Sequence, residues 1–79
     1  MPHIEVLWTE ANIAHLAANS VSPQEAEDVL VSPIGTAVSR STGNPIVFGN
    51  TRAGRRLAVV YEQIDPITVY PITAYDVED

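Results

Sequence analysis

The side chains best suited to polar chemistry are His15 and the arginines at 40, 52, 55 and 56, in a chain with no lysine. An imidazole titrates near neutrality, so His15 is a candidate general acid or base. The competing reading is a helix-surface histidine bonded to a neighbour. His3 and His15 lie too far apart, without a carboxylate at ligand spacing, to make a metal site, so no metal is expected. Arg52, Arg55 and Arg56 form the one cationic cluster. Side chains alternate along a strand, so Arg55 and Arg56 must point to opposite faces, and only one of them can join Arg52. An arginine at the end of a sheet can grip a phosphate with two parallel bonds and stabilise charge developing on it. It can equally pair with a surplus carboxylate, such as Glu62 or Glu27. Arg40 can join the cluster from a neighbouring strand.

Composition narrows the classes. Seventy-nine residues, 46% of them apolar, suit one small domain (1–79) with a single core and a thin stability margin. The absence of cysteine excludes a disulfide scaffold, a thiolate zinc site and a cysteine nucleophile. Ten carboxylates against four arginines give a formal charge of −6, which disfavours nucleic acid unless the arginines converge and suits a basic partner. There is no apolar run of membrane-spanning length and no secretory pattern, so the expected location is cytoplasmic, with no membrane partner. No glycine-rich phosphate loop, paired-carboxylate motif or nucleophile elbow occurs, and no cofactor is expected.

The elements that must position these residues divide at about residue 31, with a helical part over about 9–31 and a sheet part over about 35–75. His3 to Leu7 reads as a short strand. Thr9 caps a first helix, with Glu10 in its first turn and Ile13, Leu16 and Ala17 as the inward stripe, and Asn19-Ser20 ends it. Ser22-Pro23-Gln24-Glu25 is a capping box with proline at the first helical position, Ala26, Val29 and Leu30 face inward, and Pro33 stops the second helix. Glu25, Glu27 and Asp28 read as its solvated first turn.

Strands follow at Thr36–Arg40, Ile46–Gly49, Arg55–Gln63 and Ile67–Ala74, with a hairpin turn at Thr51-Arg52-Ala53-Gly54. The third of these carries Leu57, Val59 and Tyr61 on one face and Ala58 and Val60 on the other, which predicts a central strand. Pro71 predicts an edge for the last one. Trp8 caps the core, while Asp76, Glu78 and Asp79 read as a mobile acidic tail. The expected fold is α+β, with two N-terminal helices packed on a roughly four-stranded antiparallel sheet.

Taken in order, Trp8-Thr9-Glu10, Asn12-Ile13-Ala14-His15 and Val21-Ser22-Pro23-Gln24-Glu25-Ala26 resemble the N-terminal half of BrnT-like proteins. The run from Gly49 to Val60 resembles that family's second hairpin, and Ile72-Thr73-Ala74 its last strand. The resemblance implies a RelE-like fold and a type II toxin acting as a metal-independent ribonuclease, neutralised by a small DNA-binding antitoxin. In that reading RNA is the substrate, Arg40, Arg52 and Arg55 hold its phosphate, and His15, Arg55 and Glu62 carry catalysis. The chain also departs from the family. Asn19-Ser20 replaces the usual His-Gly, Tyr75 replaces an arginine after Thr-Ala, and the chain stops at an acidic tail where relatives carry a basic helix. These changes imply reduced or lost activity. The alternatives are a non-catalytic protein-binding module on the same scaffold, or a decoy that binds a basic toxin, with a homodimer as a further way to cover the sheet edge.

Overall fold

The computed structural model describes residues 4–77. Strand β1 (Glu5–Val6) leads into helices α1 (Glu10–Ala18) and α2 (Pro23–Val31), followed by strands β2 (Gly35–Val38), β3 (Pro45–Asn50), β4 (Arg56–Gln63) and β5 (Thr68–Asp76). The sheet order is β1-β5-β4-β3-β2. β2 to β5 form an antiparallel meander, and β1 lies parallel to β5 through Glu5–Thr68 and Val6–Val69. The α+β class is as expected, but the sheet is five-stranded and mixed instead of four-stranded and antiparallel. The fifth strand is the short one expected within His3 to Leu7, here Glu5–Val6, and its parallel partner lies at the far end of the chain. Position 3 of the expected first strand lies outside the described residues.

β4 is central, as its apolar pattern predicts. β5 is inner only where β1 covers it. The Leu7 amide donates to the Val69 carbonyl, and Pro71 follows beyond that last bond, where its missing N–H removes no ladder partner. A register shift between Val60 and Tyr61 marks a bulge opposite this segment.

Helix α1 is turned about one position from expectation. Its inward residues are Asn12 and Leu16, while Ile13 and Ala17 are exposed. The cause is a capping box that uses Asn12. The Thr9 amide donates to Asn12 Oδ1 at 2.7 Å, and the Asn12 amide donates to Thr9 Oγ1 at 3.2 Å. Asn12 Nδ2 then donates to the Leu7 carbonyl at 2.9 Å, tying the helix start to the end of β1.

The C-terminus of α1 closes in a Schellman arrangement. The Val21 amide donates to the Leu16 carbonyl and the Ser20 amide to the Ala17 carbonyl. Ser20 takes the left-handed conformation (φ 60°) that glycine adopts without strain. Ser20→Gly is therefore expected to stabilise the fold by about 1 kcal/mol, read as a rise of about 4–8 °C in Tm.

Helix α2 begins as predicted, with Ser22 and Glu25 bonding reciprocally and Pro23 at the first position. It seats directly on β3 because Gly49 leaves room. A Cβ there would lie 3.2 Å from both Val29 Cγ1 and the Ser32 carbonyl oxygen. Val29 and Leu30 from α2, with Leu16 and Val21, pack on Val47, Leu57, Val59, Val69 and Ala74 of the sheet. The helices occupy one face. The other, bearing Ile46, Phe48, Ala58 and Val60, carries no helix among the described residues.

Candidate functional site

Arg55 sits at the mouth of the β3–β4 hairpin, beyond the tight turn where Gly54 supplies a positive φ of 88°. Alternation along β4 sends its side chain to the helix side, beneath the junction of α1 and α2. There Nε and Nη2 donate to the two oxygens of Asp76 at 2.6 and 2.9 Å, a bidentate pair. Nη1 donates to both Glu25 oxygens at 3.2 Å and to the Ser20 carbonyl at 2.7 Å, and Nη2 reaches the Asn19 carbonyl at 3.4 Å. One guanidinium thus joins the α1–α2 loop, the first turn of α2 and the end of β5.

The electrostatics follow from this geometry. The Asp76 carboxylate chiefly, with Glu25, holds the Arg55 guanidinium more firmly protonated than usual. Arg55 in turn lowers the Asp76 carboxyl. Glu25 is lowered first by the Ser22 amide and then by Arg55. Asp76 is therefore part of the ordered sheet and not of a mobile tail, while Glu78 and Asp79 lie outside the described residues. The acidic positions of α2 are likewise occupied. Asp28 pairs with Arg52 at 3.4 Å, and Glu27 accepts from Trp8 Nε1 at 2.7 Å, which fixes the half-buried indole against the core. Arg55 engages Glu25 and Asp76, and Arg52 engages Asp28, in place of the Glu62 or Glu27 suggested by composition.

The other candidate residues lie apart. Arg52 is on the hairpin tip with its side chain 93% exposed. Arg40 is in the β2–β3 connection, which opens from the opposite end of β3. His15 is exposed on α1, and Glu62 is exposed on β4, on the face away from the helices. The side chains of His15, Arg40 and Glu62 make no hydrogen bond or ion pair with the described residues. The three proposed phosphate ligands thus do not surround a common point, and the two proton-transfer candidates stand on different surfaces from Arg55. Among the described residues no group of carboxylates and histidines is placed to hold a metal, and no helix is long and apolar enough to cross a membrane.

One concave feature was not read from the sequence. Two nine-residue helices are each about 13 Å long, whereas the eight residues of β4 extend for about 26 Å. The helices therefore leave part of their own sheet face uncovered, as a groove of about 480 Å³. Val47, Tyr61 and Val69 form its floor. Leu30 and Pro33 bound it on the α2 side, with Pro66 and Ile67 on the other. It runs across the strands from Ile4 to Thr36, and no carboxylate, histidine or arginine lines it. Such a lining is suited to apolar side chains, with the Tyr61 hydroxyl as one of its few polar groups. Its residues come from five separate segments, so no local motif announces it. Comparison of the chain with protein-family models, with curated proteins and with solved structures finds no match.

Proposed function

We propose that this chain is a non-catalytic protein-binding module on the scaffold of a BrnT-like, RelE-like toxin, working through a protein partner such as a small DNA-binding antitoxin. The observation that carries this reading is the state of Arg55. Its donors are directed at two carboxylates and two carbonyls of its own chain, so an incoming phosphate would have to displace a bidentate ion pair. The wide separation of His15, Glu62 and Arg40 supports the same conclusion, because acid–base catalysis needs its groups within hydrogen-bond reach of one substrate. The apolar groove gives a partner somewhere to place an apolar stripe, and the net charge of −6 favours a partner with flanking cations.

The test is to incubate the purified protein with RNA and to overexpress it. RNA is expected to stay intact and growth to be unaffected. Wild-type protein that cleaves RNA would contradict the reading. Co-expression with the product of any short reading frame that adjoins its own gene is expected to yield a stable complex. Ile67→Asp, at a half-exposed wall of the groove, is expected to weaken that complex about tenfold or more, because it buries a charge without a partner. A complex indifferent to Ile67→Asp would remove the groove from the account.

A further inference from the structure

β2 is one margin of the sheet, and its outer side is open. It is the last strand in the sheet order, beside β3, and Thr36, Ala37 and Val38 are exposed. The register shows which of its backbone groups β3 uses. Val38 stands opposite Pro45, which has no N–H, and the Ser39 amide donates to the Asn44 carbonyl at 2.8 Å. Val38 and Pro45 are therefore a pair without mutual hydrogen bonds, and alternation along the ladder makes Ala37 and Ile46 a bonded pair. The amides and carbonyls of Thr36 and Val38 then point away from the sheet.

Proteins protect such edges with charge, proline or a covering segment. The opposite margin has this protection. There β1 covers Thr68 and Val69, Pro71 follows without an N–H, and the Ala74 carbonyl accepts from Asn19 Nδ2 at 2.9 Å. β2 has none of it. No residue from Val29 to Ser39 is charged, and no proline falls within the strand. The same stretch carries the three most exposed large apolar side chains among the described residues, Val38 at 66%, Ile34 at 60% and Val31 at 57%.

This edge is complementary to a second copy of itself. Thr36 and Val38 flank Ala37, so a two-fold axis through Ala37, perpendicular to the sheet, sets two β2 strands antiparallel. Thr36 of each copy then lies opposite Val38 of the other, and each such pair exchanges two hydrogen bonds. Ala37 meets its own counterpart on the axis, where a methyl group leaves room. Thr36 and Val38 share the face of Val47, so the branched side chains of the two copies pack beside one another. Charge selects the occupant. Two chains of net charge −6 repel, and an uncharged edge lets them meet without setting like charges together. We infer that β2 is the contact strand of a symmetric homodimer, in which one sheet runs through both copies. The two-fold axis consumes both open edges, so assembly closes at the dimer. A contact strand of four residues makes a small interface, and the dimer dissociates on dilution.

Sedimentation and light scattering of the full chain, from micromolar to millimolar, are expected to show the mass rising from 8.5 kDa towards twice that value and no further. Val38→Pro removes an amide that β3 does not use and deletes one hydrogen bond from each pair across the axis. It is expected to keep the wild-type circular dichroism spectrum and to raise the dimer dissociation constant about tenfold or more. Amide exchange reads the same contact in the wild type. The Thr36 and Val38 amides are expected to slow as concentration rises, while the Ala37 amide is slow throughout. In a chain without cysteine, Ala37→Cys sets two thiols across the axis with Cα atoms about 4.5 Å apart, and mild oxidation is expected to link the copies. Ala17→Cys, exposed on α1, is expected to stay unlinked under the same conditions. Amide exchange and the cysteine pair decide the outcome should Val38→Pro fail to fold. A wild type that stays monomeric at millimolar concentration, or a mass that climbs past the dimer, would overturn the inference. So would a folded Val38→Pro variant that dimerises like the wild type, or cysteines at position 37 that do not link.

Discussion

Replacing Asn12 with leucine is expected to lower stability by about 2–3 kcal/mol, although it would extend the apolar stripe of α1. Asn12 is 1% exposed, and its side chain serves two backbone groups, the Thr9 amide and the Leu7 carbonyl. Leucine leaves the cap half-made and both groups without that partner, and an unmade buried hydrogen bond costs more than a made one contributes. In a domain this small the Tm should fall by about 10–20 °C. Asn12→Asp keeps the acceptor for the Thr9 amide and loses the donor to Leu7, so it should fall between the two. Thermal unfolding followed by circular dichroism reads all three. A leucine variant as stable as the wild type would show that the Asn12 bonds do not hold the helix start.

Arg55→Leu is the second large effect, a loss of about 2 kcal/mol. It unlinks the Ser20 carbonyl, whose residue holds a strained conformation, and leaves Glu25 and Asp76 as unpaired like charges. Asp76 is largely exposed, so water screens much of its share. Arg55→Lys should recover part of the loss, since an ammonium cannot reproduce the two-pronged grip.

The pH dependence identifies the cause. Both carboxyls lie below their ordinary values of 4.5 and 3.8 in the folded protein. Their contribution is then fully present above the unfolded values and is lost as pH falls through the lower, folded ones. The gap between wild type and Arg55→Leu should be constant above about pH 5.5 and narrow on acidification. A gap independent of pH would mean that Arg55 stabilises through packing and its carbonyl bonds, without its carboxylates.

What the sequence made legible was local. Ser22-Pro23-Gln24-Glu25 and Thr51 to Gly54 state their structures within four residues, because caps and turns depend on near neighbours. The inward face of α2 and the central position of β4 followed from periodicity. What stayed hidden was settled by distant partners. β1 read as a short strand, but its parallel pairing with Thr68 and Val69 is set by residues more than sixty positions away. The face of α1 was misjudged by one position, since hydropathy alone ranks Ile13 above Asn12 as a buried residue and does not register that Asn12 can serve the Leu7 carbonyl. Arg55 was recognised as the arginine worth following, but its partners lie 30 and 21 positions away on separate elements. Residue type offered phosphate binding or an ion pair, and only the fold brings Asp76 and Glu25 to it. The groove is a consequence of helix and strand lengths and has no motif at all.

The most direct test of the account is a nuclear magnetic resonance titration of the Arg55 Nε–H with a single-stranded RNA oligonucleotide at low salt. If Arg55 is a clasp, that proton is protected from solvent exchange, and its resonance stays in place at every RNA concentration. An Nε–H that shifts and saturates with RNA would place Arg55 on phosphate and contradict the account.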